Sequence, residues 1–210
     1  MNMNDSFSEI AAFSIHDVKN DLAQLAAEAE ARGDVKSQEI ALRASETLTG
    51  LLCFYKSETH NLHVQIDAQD PHELIDDLLG HHASRIQTQT HLEVQKDLEQ
   101  APDLWFYDKT LIQMVLANAL QNALRFARHS IKISVIAHPE YLEICVQDDG
   151  VGYPSSLLQN PDESSPVTSQ GTGLGLGLAR RVVALHKNGD RQGEIVLSNL
   201  GGARFQLHLP

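Results

Sequence analysis

Apolar residues recur at alternating spacings of four and three near the start of the chain: Ala11, Ile15, Val18, Leu22, Leu25 and Ala29. That spacing is a heptad seam along one helix. Residues 5–31 contain no Gly or Pro and are rich in strong helix formers. Arg32-Gly33-Asp34 ends the pattern. Gly33 suits the left-handed position just past a helix, and Asp34 suits the N-cap of the next one. A second seam follows at Ala41, Ala44, Leu48, Leu51 and Tyr55. Two antiparallel helices cannot bury both seams between themselves. The expectation is therefore a hairpin that pairs with a second copy into a four-helix bundle, a homodimer.

Beyond residue 57 the pattern changes. Residues 62–66 read as a short strand. Pro71 opens a helix over 72–88 carrying Leu74, Ile75, Leu78 and Leu79. Residues 90–98 alternate as a strand does. After a short apolar run at 104–107, Asp108 is placed to cap a long helix over 109–127. Residues 131–137 and 142–147 read as paired strands joined through His138-Pro139-Glu140. Residues 155–170 are rich in Ser, Pro, Asp and Gln without apolar periodicity, and read as a mobile lid. Residues 194–198 and 203–209 close the chain as a hairpin through Asn199-Leu200-Gly201-Gly202. The predicted class is α+β: a helical hairpin over 1–58, then an α/β-sandwich domain over 59–210.

Composition narrows the partners. The chain has 210 residues, 42% apolar, with a net charge of −12. No Lys/Arg cluster appears, so nucleic acid and anionic membrane are not expected partners. No apolar run approaches the ~20 residues that a membrane-spanning helix requires, and the polar start lacks a signal-peptide pattern. Cys53 and Cys145 are far apart in apolar runs and read as reduced core thiols of a cytoplasmic protein.

Four places carry candidate chemistry. Residues 171–178 read Gly-Thr-Gly-Leu-Gly-Leu-Gly-Leu and feed a helix with Leu178, Val182 and Leu185 at helical spacing. A glycine loop running into a helix N-terminus suits phosphate, although a plain surface loop has the same composition. Asn118 and Asn122 lie one turn apart on the helix over 109–127, followed by Arg125 and Phe126. They are either a polar helix face or oxygen donors, since Mg²⁺ takes only one or two protein oxygens and completes its shell with water and phosphate. Asp148 ends a strand ahead of Gly150 and Gly152, where its carboxylate suits an adenine amino group; a β-turn uses the same residues. His16 is followed by Asp17, with Asn20 one turn on. A helical histidine is often only a surface residue. Here Asp17 could take the Nδ1 proton and leave Nε2 as a nucleophile.

His16-Asp17-Val18-Lys19-Asn20-Asp21-Leu22 resembles the phospho-acceptor box of sensor histidine kinases. Asn118…Asn122 resembles that family's N box, Asp148-x-Gly150-x-Gly152 its first glycine box, and Gly171-x-Gly173-Leu174-Gly175-Leu176 its second. Their order, with a lid between the glycine boxes, is similar to the Bergerat-type ATP-binding fold of histidine kinases, Hsp90 chaperones, type II topoisomerases and MutL. The Leu185-His186 pair and the closing Phe205…Leu207-His208-Leu209-Pro210 favour the kinase branch.

The resemblance implies ATP and Mg²⁺. Asn122 would hold the metal, with Asn118 supporting metal or phosphate. Arg125 would lie near the phosphates and Phe126 near the adenine or ribose, while Asp148 would accept from the adenine amino group. Gly150, Gly152, Gly171, Gly173, Leu174, Gly175 and Leu176 would line the nucleotide. His16 would be the phosphorylated residue, Asp17 its base, and Asn20 the support for a phosphatase activity. The phosphoryl group would pass to the receiver domain of a separate response regulator, with input arriving through a sensory partner protein in trans unless the chain is constitutively active. A phosphotransfer or scaffold protein with a silent ATP-binding domain, and an anti-sigma-type serine kinase of the same fold, are the rival expectations.

Overall fold

The computed structural model describes residues 3–58, 62–159 and 174–210. The chain divides into two compact units, Met1–Leu62 and His63–Pro210.

The first unit is a helical hairpin of α1 (Met3–Ala31) and α2 (Val35–Glu58). Its turn is built as the residues predict. Gly33 has φ +68°, its N–H donates to the Glu30 carbonyl at 2.9 Å, and the Asp34 N–H reaches back to Ala29 at 2.8 Å. This is the paired-bond end of a helix that turns through a left-handed residue. Asp34 then caps α2, its Oδ1 accepting from Ser37 N–H at 3.1 Å. The bonds from Ser37 hold the Asp34 carboxyl below its ordinary range. The helices approach through small residues, with Ala26, Ala29 and Ala41 buried. Ile15, Leu22, Ala44 and Leu48 are half-buried. Val18 and Leu25 remain 45% and 43% exposed, and Ile40 and Leu42 are exposed on α2. The apolar stripe is thus wider than one hairpin covers.

The second unit is built on a five-stranded mixed sheet in the order β2-β4-β5-β9-β8. Its strands are β2 (Glu93–Gln100), β4 (Ser130–Ala137), β5 (Leu142–Asp148), β8 (Glu194–Asn199) and β9 (Ala203–Leu209). β2 runs parallel to β4, and the remaining neighbours are antiparallel. Ile131, Ile133, Val135, Ile144, Val146, Phe205 and Leu207 form the buried face, as alternation along paired strands requires. The helices α3 (Pro71–His81), α5 (Lys109–Phe126) and α7 (Leu174–Ala184) supply the rest of this core, with α5 against β5 and α7 against β8. α5 is capped by Asp108, whose Oδ1 accepts from Leu111 N–H at 3.0 Å. The opposite face holds a polar cluster around the buried Glu143. Glu143 pairs with Arg204 at 3.2 Å, and His138 and His208 approach the same carboxylate at 3.8 and 3.4 Å.

Several boundaries differ from expectation. The first strand is β1 (Asp67–Gln69), paired with β3 (Trp105–Tyr107), rather than residues 62–66. Gln65 N–H is taken by Asp108 Oδ2 at 2.9 Å, which keeps this stretch out of a ladder. The helix expected over 72–88 breaks at His82, whose buried ring bonds the Leu78 carbonyl through Nδ1 at 2.9 Å. α4 (Ala83–Thr88) follows as a separate turn. The strand expected from residue 90 starts at Glu93, after a turn closed by Leu92 N–H to the Gln89 carbonyl. The start of the expected lid is the short helix α6 (Ser155–Gln159), and residues 160–173 lie outside the described ones. The 186–193 loop holds a small ribbon of β6 (Lys187–Asn188) and β7 (Arg191–Gln192), turning at Gly189 with φ +61°. Cys145 is buried and free. Among the described residues no helix is long and apolar enough to cross a membrane.

Candidate functional site

The loop after β5 is fastened on three sides. Asp148, only 6% exposed, accepts from Gly150 N–H at 2.7 Å and from Ala203 N–H at 3.2 Å, both through Oδ1. Among the described residues Oδ2 takes part in no hydrogen bond. One oxygen therefore orients the carboxylate and the other is left for a donor. Asp149 faces the other way. Its carboxylate accepts from Arg128 N–H at 2.8 Å and His129 N–H at 3.0 Å, tying the loop to the connection after α5. Those backbone bonds, His129 first, hold Asp149 well below the usual carboxylate range. Asn199, at the end of β8, holds the third side through Tyr153.

The glycines serve this fastening. A Cβ on Gly150 would stand 2.2 Å from the Phe126 carbonyl oxygen, and one on Gly202 would stand 2.0 Å from that of Asp148. The close approach expected toward a ligand is, at Gly150, an approach to the end of α5. Gly152 has φ +78°, a conformation side chains rarely adopt.

α5, whose C-terminal end at Phe126 lies against Gly150, carries the other predicted residues. Leu111, Ile112, Val115, Leu116, Ala119, Leu120, Ala123 and Leu124 face the core, which leaves Asn118 and Asn122 exposed on the far flank. Exposure removes any need for a buried partner. Asn122 Nδ2 lies 3.5 Å from Asn118 Oδ1, so Asn122 Oδ1 takes no part in that contact. Arg125 stacks its guanidinium 5.3 Å above the Phe126 ring, and both are exposed. Among the described residues no group of three His, Cys, Asp or Glu could hold a metal. A hard cation here would rest on an amide oxygen and on its ligand's phosphates, which fits Mg²⁺.

The second glycine stretch departs from expectation. α7 begins at Leu174, so Leu174, Gly175 and Leu176 are its first turn rather than a preceding loop. Leu176 is half-buried, while Leu174 and Gly175 are described by their backbone alone. Gly171 and Gly173 lie outside the described residues. Arg180 ties α7 to β8 through the Ile195 carbonyl at 3.1 Å. His186, just beyond α7, accepts from Asp108 N–H through Nε2 at 3.1 Å and is bonded through Nδ1 to the Val182 carbonyl at 3.0 Å. Burial pushes its pKa below the ordinary histidine value.

In the other unit, Asp17 and Asn20 are exposed on α1. His16 belongs to α1 and is described by its backbone alone. Sequence reasoning missed Asp149, Asn199 and Gly202. Asp149 stood beside a better candidate, and the other two read as ordinary turn residues.

The model of the histidine kinase-, DNA gyrase B-, and HSP90-like ATPase family matches residues 107–210. The sensor histidine kinase GtrS of Pseudomonas aeruginosa is 36% identical over 105 residues, covering 47% of this chain and 21% of that protein. The signal transduction histidine-protein kinase AfsQ2 of Streptomyces coelicolor is 32% identical over 111 residues, 49% of this chain and 20% of that protein. These matches span about a fifth of the length of the curated relatives. Among solved structures, full-length ShkA in complex with AMPPNP superposes with a TM-score of 0.71 at 19% identity, over 96% of this chain and 45% of that one. The Acinetobacter baumannii histidine kinase AdeS gives 0.63 at 18% identity, over 91% and 94%. At such identities the superpositions establish the fold alone, and the family rests on the sequence matches. Residues 107–210 are therefore a domain of the histidine kinase-, DNA gyrase B-, and HSP90-like ATPase family, homologous to sensor histidine kinases.

Proposed function

We propose that the chain is an ATP-dependent protein-histidine kinase of a two-component pathway, acting in the cytoplasm as a homodimer. Residues 59–210 bind the nucleotide, and residues 1–58 pair two copies and carry the acceptor. The observation that carries this reading is Asp148: a carboxylate held by two backbone N–H groups with its second oxygen unengaged, in a loop that packs at Gly150 against the end of α5, the helix that carries Asn118 and Asn122. Adenine offers an amino donor to that oxygen, and guanine presents a carbonyl there, which a carboxylate repels.

In the proposed reaction Asp148 selects and orients the base, and Arg125 and Phe126 flank the nucleotide. Asn122, supported by Asn118, would hold Mg²⁺, which supplies charge neutralisation on the phosphates when bound. The N–H groups of the first turn of α7 face phosphate oxygens, as helix N-termini do. Asp17 accepts the Nδ1 proton of His16, whose Nε2 lone pair attacks the γ-phosphorus. The bond from that phosphorus to its bridging oxygen breaks, and ADP departs with the electron pair. Few reactive side chains are needed, because phosphoryl transfer is mostly positioning and charge stabilisation. The phosphoryl group then passes to an aspartate of a response regulator. Asn20 positions a water that attacks the regulator's phosphoaspartate and releases inorganic phosphate, and Asn20→Ala would abolish regulator dephosphorylation while sparing His16 labelling.

Incubation with γ-labelled ATP tests the reading. The expected product is acid-labile, alkali-stable label that disappears in His16→Ala and in Asp148→Asn. Wild-type protein that binds ATP without labelling would point instead to a silent scaffold.

A further inference from the structure

The turn between β8 and β9 holds both ends of the loop at residues 148–153. At one end Ala203 N–H donates to Asp148 Oδ1 at 3.2 Å. At the other, the amide of Asn199 grips one residue twice: Oδ1 accepts from Tyr153 N–H at 2.8 Å, and Nδ2 donates to the Tyr153 carbonyl at 2.9 Å. A single side chain thereby supplies the two bonds that a neighbouring strand would give. The amide orientation follows from its partners, since reversal would set donor against donor and acceptor against acceptor. Gly152 lies directly beneath this amide, where a Cβ would come within 2.7 Å of Asn199 Oδ1. The turn is in turn braced by Gln147 Nε2 donating to the Leu200 carbonyl at 3.0 Å and by Leu200 N–H donating to the Gly202 carbonyl at 3.0 Å.

We propose that Asn199 is a positioning residue for the nucleobase. By fixing the exit of the loop at Tyr153 it holds the backbone that carries Asp148, reinforcing the direction that the two bonds to Oδ1 give the unengaged oxygen, and so sharpens the preference for adenine over guanine. This rests on the nucleotide reading above and adds a residue that never touches the base. Without the clamp the hydrogen bonds that remain on the loop, among the described residues, are those at 148 and 149, its exit is released, and the carboxylate can tilt away from an amino donor. A bond that depends on direction weakens steeply with misalignment, so ATP loses affinity while GTP, which gains nothing from the carboxylate, loses little.

The test is calorimetric binding of ATP and of GTP, each with Mg²⁺, to the full chain as wild type, Asn199→Ala, Asn199→Asp and Asp148→Asn. Asn199→Asp keeps the acceptor for Tyr153 N–H but sets a second oxygen against the Tyr153 carbonyl. Both Asn199 variants are expected to raise the Kd for ATP about tenfold, the worth of one or two hydrogen bonds, and to narrow the ATP-to-GTP ratio by a similar factor. Circular dichroism checks the fold, and should Asn199→Ala fail to fold, the isosteric Asn199→Asp carries the comparison. ATP affinity equal to wild type, or ATP and GTP weakened by one common factor, would overturn the inference and leave the nucleotide reading intact. A wild-type chain that binds neither nucleotide would overturn both, and one that loses ATP in Asp148→Asn alone would confine selection to Asp148.

Discussion

The backbone N–H of Asp108 donates to Nε2 of His186, 78 residues further along the chain, at 3.1 Å. That bond requires a ring whose Nε2 carries no proton, with the proton on Nδ1 bonded to Val182. It joins the start of α5 to the end of α7, the two helices that flank the candidate nucleotide site. Burial lowers the folded-state pKa of His186 below 6.5. The unfolded chain then takes up a proton that the folded chain refuses, so the stabilisation is present above pH 6.5 and is lost as pH falls below it. The urea midpoint should drop between pH 7.5 and pH 5.5. In His186→Gln, which keeps an acceptor for Asp108 and cannot be protonated, that drop should be smaller. An unchanged pH slope in the variant would refute the assignment.

Gly150→Ala should destabilise the second unit strongly. Its Cβ would stand 2.2 Å from a backbone oxygen of Phe126, which cannot swing aside as a flexible side-chain tip would, and 2.9 Å from the Asp148 carboxylate. Overpacking typically costs 1–3 kcal/mol, and about 3 kcal/mol is expected here. Urea unfolding followed by tryptophan fluorescence measures it through Trp105, the one tryptophan.

Arg204→Met should leave the Glu143 carboxylate buried beside two histidines. Removing one partner of a fully buried pair costs about 3–5 kcal/mol. Arg204 is 29% exposed, so about 1–3 kcal/mol is expected. The double variant Glu143→Gln/Arg204→Met should recover part of the loss. Additive losses in the double-mutant cycle would show that the pair is not coupled.

Val18→Glu with Leu25→Glu should convert the proposed dimer into a monomer. Both side chains are more than two-fifths exposed within one hairpin, on the stripe that the heptad pattern marks as a seam. Light scattering after size exclusion reads the mass, and circular dichroism should show the helices retained. A variant that stays dimeric would move the interface elsewhere.

What was readable in the sequence was chiefly local. Gly33 and Asp34 announced their turn, and Asp108 announced its cap, because each acts on backbone within a few residues. The strand pair around residues 131–148 followed from alternation. The break at His82 was not readable, since nothing in periodicity shows that an imidazole will turn inward and bond Leu78. Nor was the helical start at Leu174, because alternating glycines disfavour a helix that tertiary packing nevertheless imposes. Asn199 was hidden for a third reason. Its two bonds reach Tyr153, 46 positions back, and a lone asparagine before two glycines reads as a turn former. The sequence therefore offered candidates among the outward residues, while those that hold the loop still were illegible.

The ribbon of β6 and β7 has a practical use. All of its residues are exposed, and a Cβ on Gly189 at its tip would meet nothing within 4 Å beyond its chain neighbours. Tips of this kind tolerate inserted sequence. A fluorophore-binding tag spliced between Gly189 and Asp190 would report on this protein inside living cells while leaving every strand of the main sheet uncut.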